Sequence, residues 1–511
     1  MENKSVLSTK EAVVLLLSVF IVGFCTIIYE LLIGSVSSYF LGDSIKQFSL
    51  VIGLTMTAMG IGTLISRIIN KDLIYYFIFI EIILAITGGL CVPILYYAYT
   101  FEAIYYPVMI LLILAIGCLI GLEIPLLTRI MEKYYDLKDN ISNVLSLDYL
   151  GAFIATIVFP FVLLPFLGIF ESSVFAGFLN LVVAIINFFW FKDKIFRKKA
   201  AKLVFFMVLI FLFLVGLFIC SDGIVKNWEN NIFEDRVIFS KQTPYQKLVM
   251  TKNKEDIRLF IDGNVQFSSI DEYRYHELLV HVPMFLAQHK ENILILGGGD
   301  GLAARELLKY NDVKNITVVD LDKEMTDLAK TNKYFLKLNN DSFNNEKVKI
   351  FNEDAFKFLE NTQNLYDVII VDLPDPNNSS LARLYSREFY KILKKKLAVN
   401  GVMVTQSTSP FFSPEAFWCI QKSLLAAGFK NAVPYHIYVP SFGDWGFMIA
   451  SDNTIRADKI DIKIPAKFID NEVAKNAFKL EKDVQRTNIE PSTLDRPKIL
   501  DYYLNGWRYW N

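Results

Sequence analysis

Ile293-Leu-Ile-Leu-Gly-Gly-Gly-Asp300-Gly301, continued without a break by Leu302-Ala-Ala-Arg-Glu-Leu-Leu-Lys309, carries the fold in its order of residue types. Four apolar residues of strand character run into three glycines, an aspartate and a fourth glycine, and then into a helical pattern. Glycine is required where a backbone turns sharply and lets a ligand approach with no Cβ in the way. A helix opening there presents unpaired N–H groups and a partial positive charge. The stretch therefore reads as the first βα turn of a nucleotide-type α/β fold. The next strand ends in Val318-Val319-Asp320, and an acid about 20 residues on is the usual distance for a ribose-binding carboxylate.

Outward from this turn, composition divides the chain. Its 511 residues suggest several domains. Hydrophobic residues make up 53% and mean hydropathy is +0.36, high for a soluble protein. The excess is concentrated between residues 12 and 221, in seven runs at 12–36, 48–67, 73–97, 103–128, 146–168, 171–191 and 201–221. Each reaches the roughly 20 residues that a bilayer crossing needs. The first lies too deep, with no small-residue cleavage site, to be a removed signal peptide. A net charge of −1 excludes a nucleic-acid footprint. Five scattered cysteines without a CxxC pair, and only four histidines, argue against a disulfide framework and a zinc site.

Three acids interrupt the apolar runs: Glu30, Glu123 and Asp148. An ionisable group in hydrocarbon usually faces a bundle interior and marks a pathway or a pairing. The bland alternative is that all three cap helices at the interface. Loop charges raise a conflict. Lys4, Lys10, Arg67, Lys71, Arg129, Lys133, Lys138 and the cluster from Lys192 to Lys202 fall on one side, and the other side has little beyond Lys46. The positive-inside rule puts the first set in the cytoplasm, and seven spans then put the C-terminal half outside.

Beyond Asp222 the sequence is that of an ordinary globular protein. Residues 236–268 alternate and turn as hairpin strands do, and Asp271–Glu277 opens a helical stretch. Strands at 293–296, 316–319, 348–351, 367–371 and 401–405 then alternate with helices, which predicts a parallel sheet covered on both faces. Ligands of such a sheet sit at the carboxyl ends of its strands. Those ends hold Gly297, Gly299, Asp300, Asp320, Asp354 and the Asp372-Leu-Pro-Asp375-Pro376 segment. One acid after a strand is ordinarily a helix cap. Five in one crevice repel unless something cationic binds there.

Residues 233–450 resemble the aminopropyltransferase family, spermidine synthase above all. The matching stretches are Tyr245-Gln246, Leu259-Phe-Ile-Asp-Gly-Asn-Val-Gln266, Asp271-Glu-Tyr-Arg-Tyr275-His276-Glu277, Gly297–Gly301, Asp354-Ala355-Phe and Asp367–Pro376. The apolar half resembles the membrane-embedded bacterial members, notably in Asp148-Tyr-Leu-Gly-Ala and in Pro440-Ser-Phe-Gly-Asp-Trp-Gly-Phe447. The resemblance implies transfer of the aminopropyl group of decarboxylated S-adenosylmethionine to putrescine, giving spermidine and methylthioadenosine. The donor is a co-substrate, and no resident cofactor is implied. An amine with pKa near 10 is protonated at neutral pH, so a positioned base must free its lone pair. By resemblance Asp372 is that base, Tyr275 steers the attacking nitrogen, and Asp375 holds the far ammonium. Asp320 takes the ribose hydroxyls, and Asp354 with Ala355 the adenine. Gln246, Gln266, His276 and Asp300 line the sulfonium arm beside the glycine turn.

Two departures stand out. The family's soluble members carry glutamate where this chain has Asp320, one methylene shorter. They also place a tyrosine just before the late Pro-Ser, where this chain has Val439 with Tyr438 one residue off and Phe442 inserted. Period-two alternation sends Tyr438 to the opposite face, which bears directly on the acceptor amine.

The fold class expected is thus a multi-pass α-helical membrane domain (1–222), a small β-hairpin subdomain with its linking helix (223–282), and an α/β Rossmann-like domain of the S-adenosylmethionine-dependent transferase type with a C-terminal tail (283–511). Expected partners are the two small substrates, the lipid bilayer and a second copy in a homodimer. The catalytic half is expected in the cytoplasm, where the donor is made, against the loop charges. Two other readings stay open: a methyltransferase on the same fold, and a membrane polyamine transporter or sensor.

Overall fold

The computed structural model describes residues 7–41, 44–233, 235–508 and 510. It separates into two compact units, Met1–Val237 and Ile238–Asn511.

The first unit is a helix bundle. Among the described residues, six helical segments are long and apolar enough to cross a membrane: Lys10–Leu41, Ser44–Ile68, Leu73–Tyr99, Ala103–Met131, Leu137–Lys194 and Arg197–Ile219. The fifth has 58 residues and as one straight helix would run on the order of 87 Å, far beyond a bilayer. Instead it turns back on itself. Near its start, Asn140 Nδ2 donates to the Thr128 carbonyl at 2.7 Å; at its end, Lys194 pairs with Glu11 at 2.7 Å, and Glu11 also accepts from the Tyr134 hydroxyl. Both ends of the segment therefore lie at one end of the bundle. The reversal falls where a π-helical turn at Phe159–Leu163 meets Gly168 at φ 82°. Six segments with one passed twice give seven passes.

Backbones approach closely where glycine removes the side chain. A Cβ on Gly62 would sit 2.1 Å from the Cys118 carbonyl oxygen, and one on Gly121 the same distance from that of Met59, so the second and fourth segments pack through small residues. Proline frees two helix carbonyls by lacking the N–H that would bond four residues back. For Pro125 the freed group is Gly121, which accepts from Thr63 Oγ1 at 3.0 Å. For Pro93 it is Gly89, which accepts from Ser173 Oγ at 3.2 Å. Glu30, Glu123 and Asp148 all lie inside their helices (Leu7–Leu41, Glu102–Met131 and Leu137–Val158), away from the first and last turns. None is a cap.

The second unit opens with an antiparallel sheet whose first strand begins at the boundary. Its strands β1 (Arg236–Gln242), β2 (Lys247–Asn253), β3 (Asp256–Ile261) and β4 (Asn264–Ser268) stand in that order. The hairpin from β3 to β4 turns on Asp262 and Gly263, both at positive φ, as a tight two-residue turn requires. The helix Glu272–Leu286 follows. The main sheet has seven strands: β5 (Asn292–Gly297), β6 (Asn315–Val319), β7 (Val348–Phe351), β8 (Tyr366–Asp372), β9 (Leu397–Gln406), β10 (Asn431–Val439) and β11 (Gly443–Ser451). Their spatial order is β10-β11-β9-β8-β5-β6-β7.

The parallel sheet predicted from sequence is a mixed one, because β11 runs antiparallel to β9 and β10 to β11. The short turn at Pro440–Phe442 leaves no chain for a crossover, so the last two strands can only pair as a hairpin. Along β5, Ile293 and Ile295 pack into the core on one face, and Leu294 and Leu296 into the core on the other. Burial on both faces is what a near-continuous apolar strand encodes.

Candidate active site

From β5 the chain runs outward through β6 to β7, then returns to lay β8 on the other side of β5. The strand order reverses between β5 and β8, and at such a point the carboxyl ends open into a crevice. In that parallel register Gly297 stands opposite Asp372. Gly297 has φ 83°, and a Cβ there would lie 2.0 Å from the Asp372 carbonyl oxygen; Gly298 N–H donates to that same oxygen at 3.1 Å. A Cβ on Gly299 would lie 2.5 Å from Asp320 Oδ2. The glycines are needed because two strand-end aspartates press against the turn.

Asp372 is reached from the linking helix, where the Tyr275 hydroxyl donates to Asp372 Oδ1 at 2.6 Å. Burial, with Asp300 nearby, raises the Asp372 pKa to about 6, although the cationic His276 and the Tyr275 bond act downward. Asp320 rises to about 7, again chiefly by burial and despite the Asp322 N–H it accepts at 2.9 Å. Asp375 rises to about 6 by burial, against donors from Gln406, Tyr503 and Thr408. Gln406 Nε2 lies 3.2 Å and Thr408 Oγ1 3.3 Å from its carboxylate. Asp300 accepts from Leu302 N–H at 2.9 Å, holding the start of the following helix. Its other oxygen lies 3.9 Å from His276 Nε2.

His276 is the cation within this anionic group. Burial alone would lower its pKa, but the bond with Glu272 and the charges of Asp300, Glu272 and Asp372 outweigh burial and raise it to about 9. Glu272 Oε2 lies 2.9 Å from His276 Nδ1. Arg305 grips both Glu272 oxygens at 2.9 Å each. This buried chain, Arg305–Glu272–His276–Asp300, runs beneath the turn.

Not every residue picked from sequence joins this group. Asp354 caps the helix Ala355–Asn361 through Lys357 N–H at 3.1 Å and pairs with Arg383, so both of its oxygens are engaged at the end of β7. Ala355 is buried in that helix's first turn. Gln246 donates to Asp322 at 2.9 Å rather than to Asp320 or Asp300. Gln266 bonds the Asn264 carbonyl of its own hairpin at 3.3 Å. Tyr438 is 59% exposed and Val439 fully buried, as the alternation demands. The inserted Phe442 instead packs on the Tyr275 ring, with centroids 6.2 Å apart.

Sequence reasoning missed several neighbours. Asp322, 2% exposed, receives both Gln246 and Thr243; the Asp320-Leu-Asp322 spacing was the available signal. Glu272 belongs to the Asp271–Glu277 motif, but the motif assigns it no role. Tyr503, on the C-terminal helix Lys498–Arg508, reaches Asp375, and nothing local in the sequence announces it. A cleft of about 630 Å³ lies elsewhere, lined by Asn292 and Asn315 at the amino ends of β5 and β6. Open α/β sheets hold their ligands at the opposite ends, so the carboxylate rim is the better candidate.

The spermine/spermidine synthase domain family matches residues 272–461. The polyamine aminopropyltransferase of Leptospira interrogans is 40% identical over 496 residues, covering 96% of this chain and 98% of its own. That of Oceanobacillus iheyensis is 39% identical over 497 residues, covering 95% and 96%. The crystal structure of spermidine synthase from Thermotoga maritima aligns with 49% of this chain and 86% of its own, at 27% identity and a TM-score of 0.44.

Proposed function

The chain belongs to the polyamine aminopropyltransferase family, and from that premise we propose that it transfers the aminopropyl group to putrescine, with Asp372 as the base. The carrying observation is the bond from the Tyr275 hydroxyl to Asp372 at 2.6 Å, opposite Gly297 at the strand-order reversal. In this reading the donor's sulfonium arm lies over the glycine turn beside Asp300 and His276. Asp320 binds the ribose, and the adenine end extends toward Ala355 and Asp354, whose pairing with Arg383 rearranges on binding. Gln246 acts through Asp322, and Gln266 closes over the donor from its hairpin.

The acceptor enters as a dication. Asp375 holds its far ammonium, while Asp372 takes a proton from the near one and Tyr275 orients the nitrogen. The freed lone pair then attacks the methylene bound to sulfur. The new C–N bond forms as the C–S bond breaks, and the electron pair leaves on neutral methylthioadenosine. Fixed geometry supplies much of the acceleration. A methyltransferase reading gives Asp375 and its ring of donors no work.

The bundle is proposed to sit in the cell membrane, its length and apolar character being the support. The catalytic unit is proposed to face the cytoplasm. Purified protein given decarboxylated S-adenosylmethionine and putrescine is expected to release methylthioadenosine and spermidine, and to prefer that donor over the carboxylated form. Absence of turnover with putrescine, or a preference for the carboxylated donor, contradicts the proposal.

A further inference from the structure

The helix bundle contains two fully buried carboxyl groups that the transfer reaction does not use. Glu81 and Glu123 are each 0% exposed, and they lie within hydrogen-bonding reach of one another. One oxygen of Glu81 accepts from Asn180 Nδ2 at 2.8 Å, and Asn180 Oδ1 accepts from the Tyr29 hydroxyl at 2.6 Å. The remaining three oxygens, Glu81 Oε1 and both of Glu123, meet no donor among the described residues.

Among the described residues, no cationic side chain hydrogen-bonds to either carboxyl. The charges acting on Glu123 are those of Glu81 and Asp148. Arg129, six residues along the same helix, is engaged by the carbonyls of Ile69 and Ser66 at 2.8 Å each and of Pro125 at 3.3 Å. A sealed carboxylate pair in an apolar bundle is strongly unfavourable unless something positive neutralises it. With both carboxyls ionised the three acceptors lack donors, and the –NH3+ of a primary amine, which carries three N–H donors and no acceptor, matches them; a proton shared between the two carboxyls satisfies fewer.

The helices around the pair are interrupted by glycine and proline. Gly121 and Pro125 flank Glu123, and the freed Gly121 carbonyl is held across the helix interface by Thr63. Gly89, whose carbonyl Pro93 frees, is held by Ser173 from the helix that carries Asn180. Interrupted helices beside buried charge are how membrane bundles make ion and amine sites.

We propose that Glu81 and Glu123, with Asn180 and Tyr29 behind them, form a binding site for the primary ammonium group of an aliphatic amine inside the helix bundle, separate from the catalytic unit. The amine enters when the glycine-packed helices separate, and it exchanges for the proton that otherwise neutralises the pair.

Full-length protein in detergent micelles, without donor, is dialysed to equilibrium against radiolabelled putrescine. The wild-type chain is expected to hold one amine more than Glu81→Gln or Glu123→Gln, with methylthioadenosine release in all three within about twofold of each other, a difference small beside the tenfold that 1.4 kcal/mol represents. Equal binding in the three proteins overturns the proposal and indicates a pair that holds only a proton. A second measurement needs no variant: a hydrophobic carbodiimide labels buried protonated carboxyls, and putrescine is expected to protect Glu81 and Glu123 in the wild-type protein. Labelling unchanged by putrescine overturns the proposal whatever the variants do. Methylthioadenosine release in the same samples reads the transfer reaction separately.

Discussion

Burial raises Asp372, Asp320 and Asp375 to about 6, 7 and 6, and each is poised to ionise fully when a sulfonium or an ammonium arrives. His276 holds the Asp372 pKa below where burial alone would put it. The His276 pKa of about 9 rests first on the bond with Glu272, and the charges of Asp300, Glu272 and Asp372 add to that bond against burial. The profile of kcat/KM reports the free enzyme, so activity should rise with pH through about 6 as Asp372 loses its proton. In Glu272→Gln the imidazole loses its bonded carboxylate, so its pKa should fall and Asp372 should keep less of the cation that holds its own pKa down. The acid limb should then move to higher pH by roughly one unit. Stability follows the same group with the opposite slope. His276 is raised above its ordinary 6.5, so its contribution is full below 6.5 and disappears as pH climbs through about 9; the variant should lack that dependence. An acid limb unchanged in Glu272→Gln contradicts the role given to His276. At this scale the sequence was legible where a motif fixed both residue and strand end, as for Asp372 and Asp320. It was silent on local uses such as those of Asp354, whose cap and Arg383 partner engage both oxygens.

Among elements, β5 and the helix that starts at Leu302 could be read directly, because the apolar run and the glycines are contiguous. The hairpin β10–β11 could not, since its pairing partner β9 lies 25 or more residues earlier. The C-terminal helix was harder still. Its Tyr503 reaches Asp375 across more than a hundred residues, and Gly506 packs where a Cβ would lie 2.6 Å from Ser413 Oγ; neither contact leaves a local pattern. In the bundle, the two apolar runs at 146–168 and 171–191 appear as the two passes of one folded-back segment. Glu81 escaped notice in Phe-Ile-Glu-Ile-Ile because its meaning depends on Glu123 and Asn180, which come from other helices.

At the scale of the whole chain, the pass count governs orientation. The Glu11–Lys194 and Asp72–Lys199 pairs gather with Arg129 at the bundle's basic end, and the last long helix starts there at Arg197 and leaves at Ile219 on the other. A cytoplasmic catalytic unit stands against the loop-charge bias noted in the sequence. With right-side-out vesicles, residues 238–511 should resist added protease and become sensitive only after lysis; cleavage before lysis contradicts the cytoplasmic placement and returns the bundle to the positive-inside arrangement. The transfer reaction is proposed to rest, independently of that outcome, on a buried anionic rim that gathers two cations and removes a proton from one. Asp372→Asn keeps the size and polarity of the side chain and deletes only the base. With decarboxylated S-adenosylmethionine and putrescine, its single-turnover rate should fall by about 10²–10⁴ while the donor binds as tightly as in the wild-type protein. A rate equal to wild type in that variant would contradict the account.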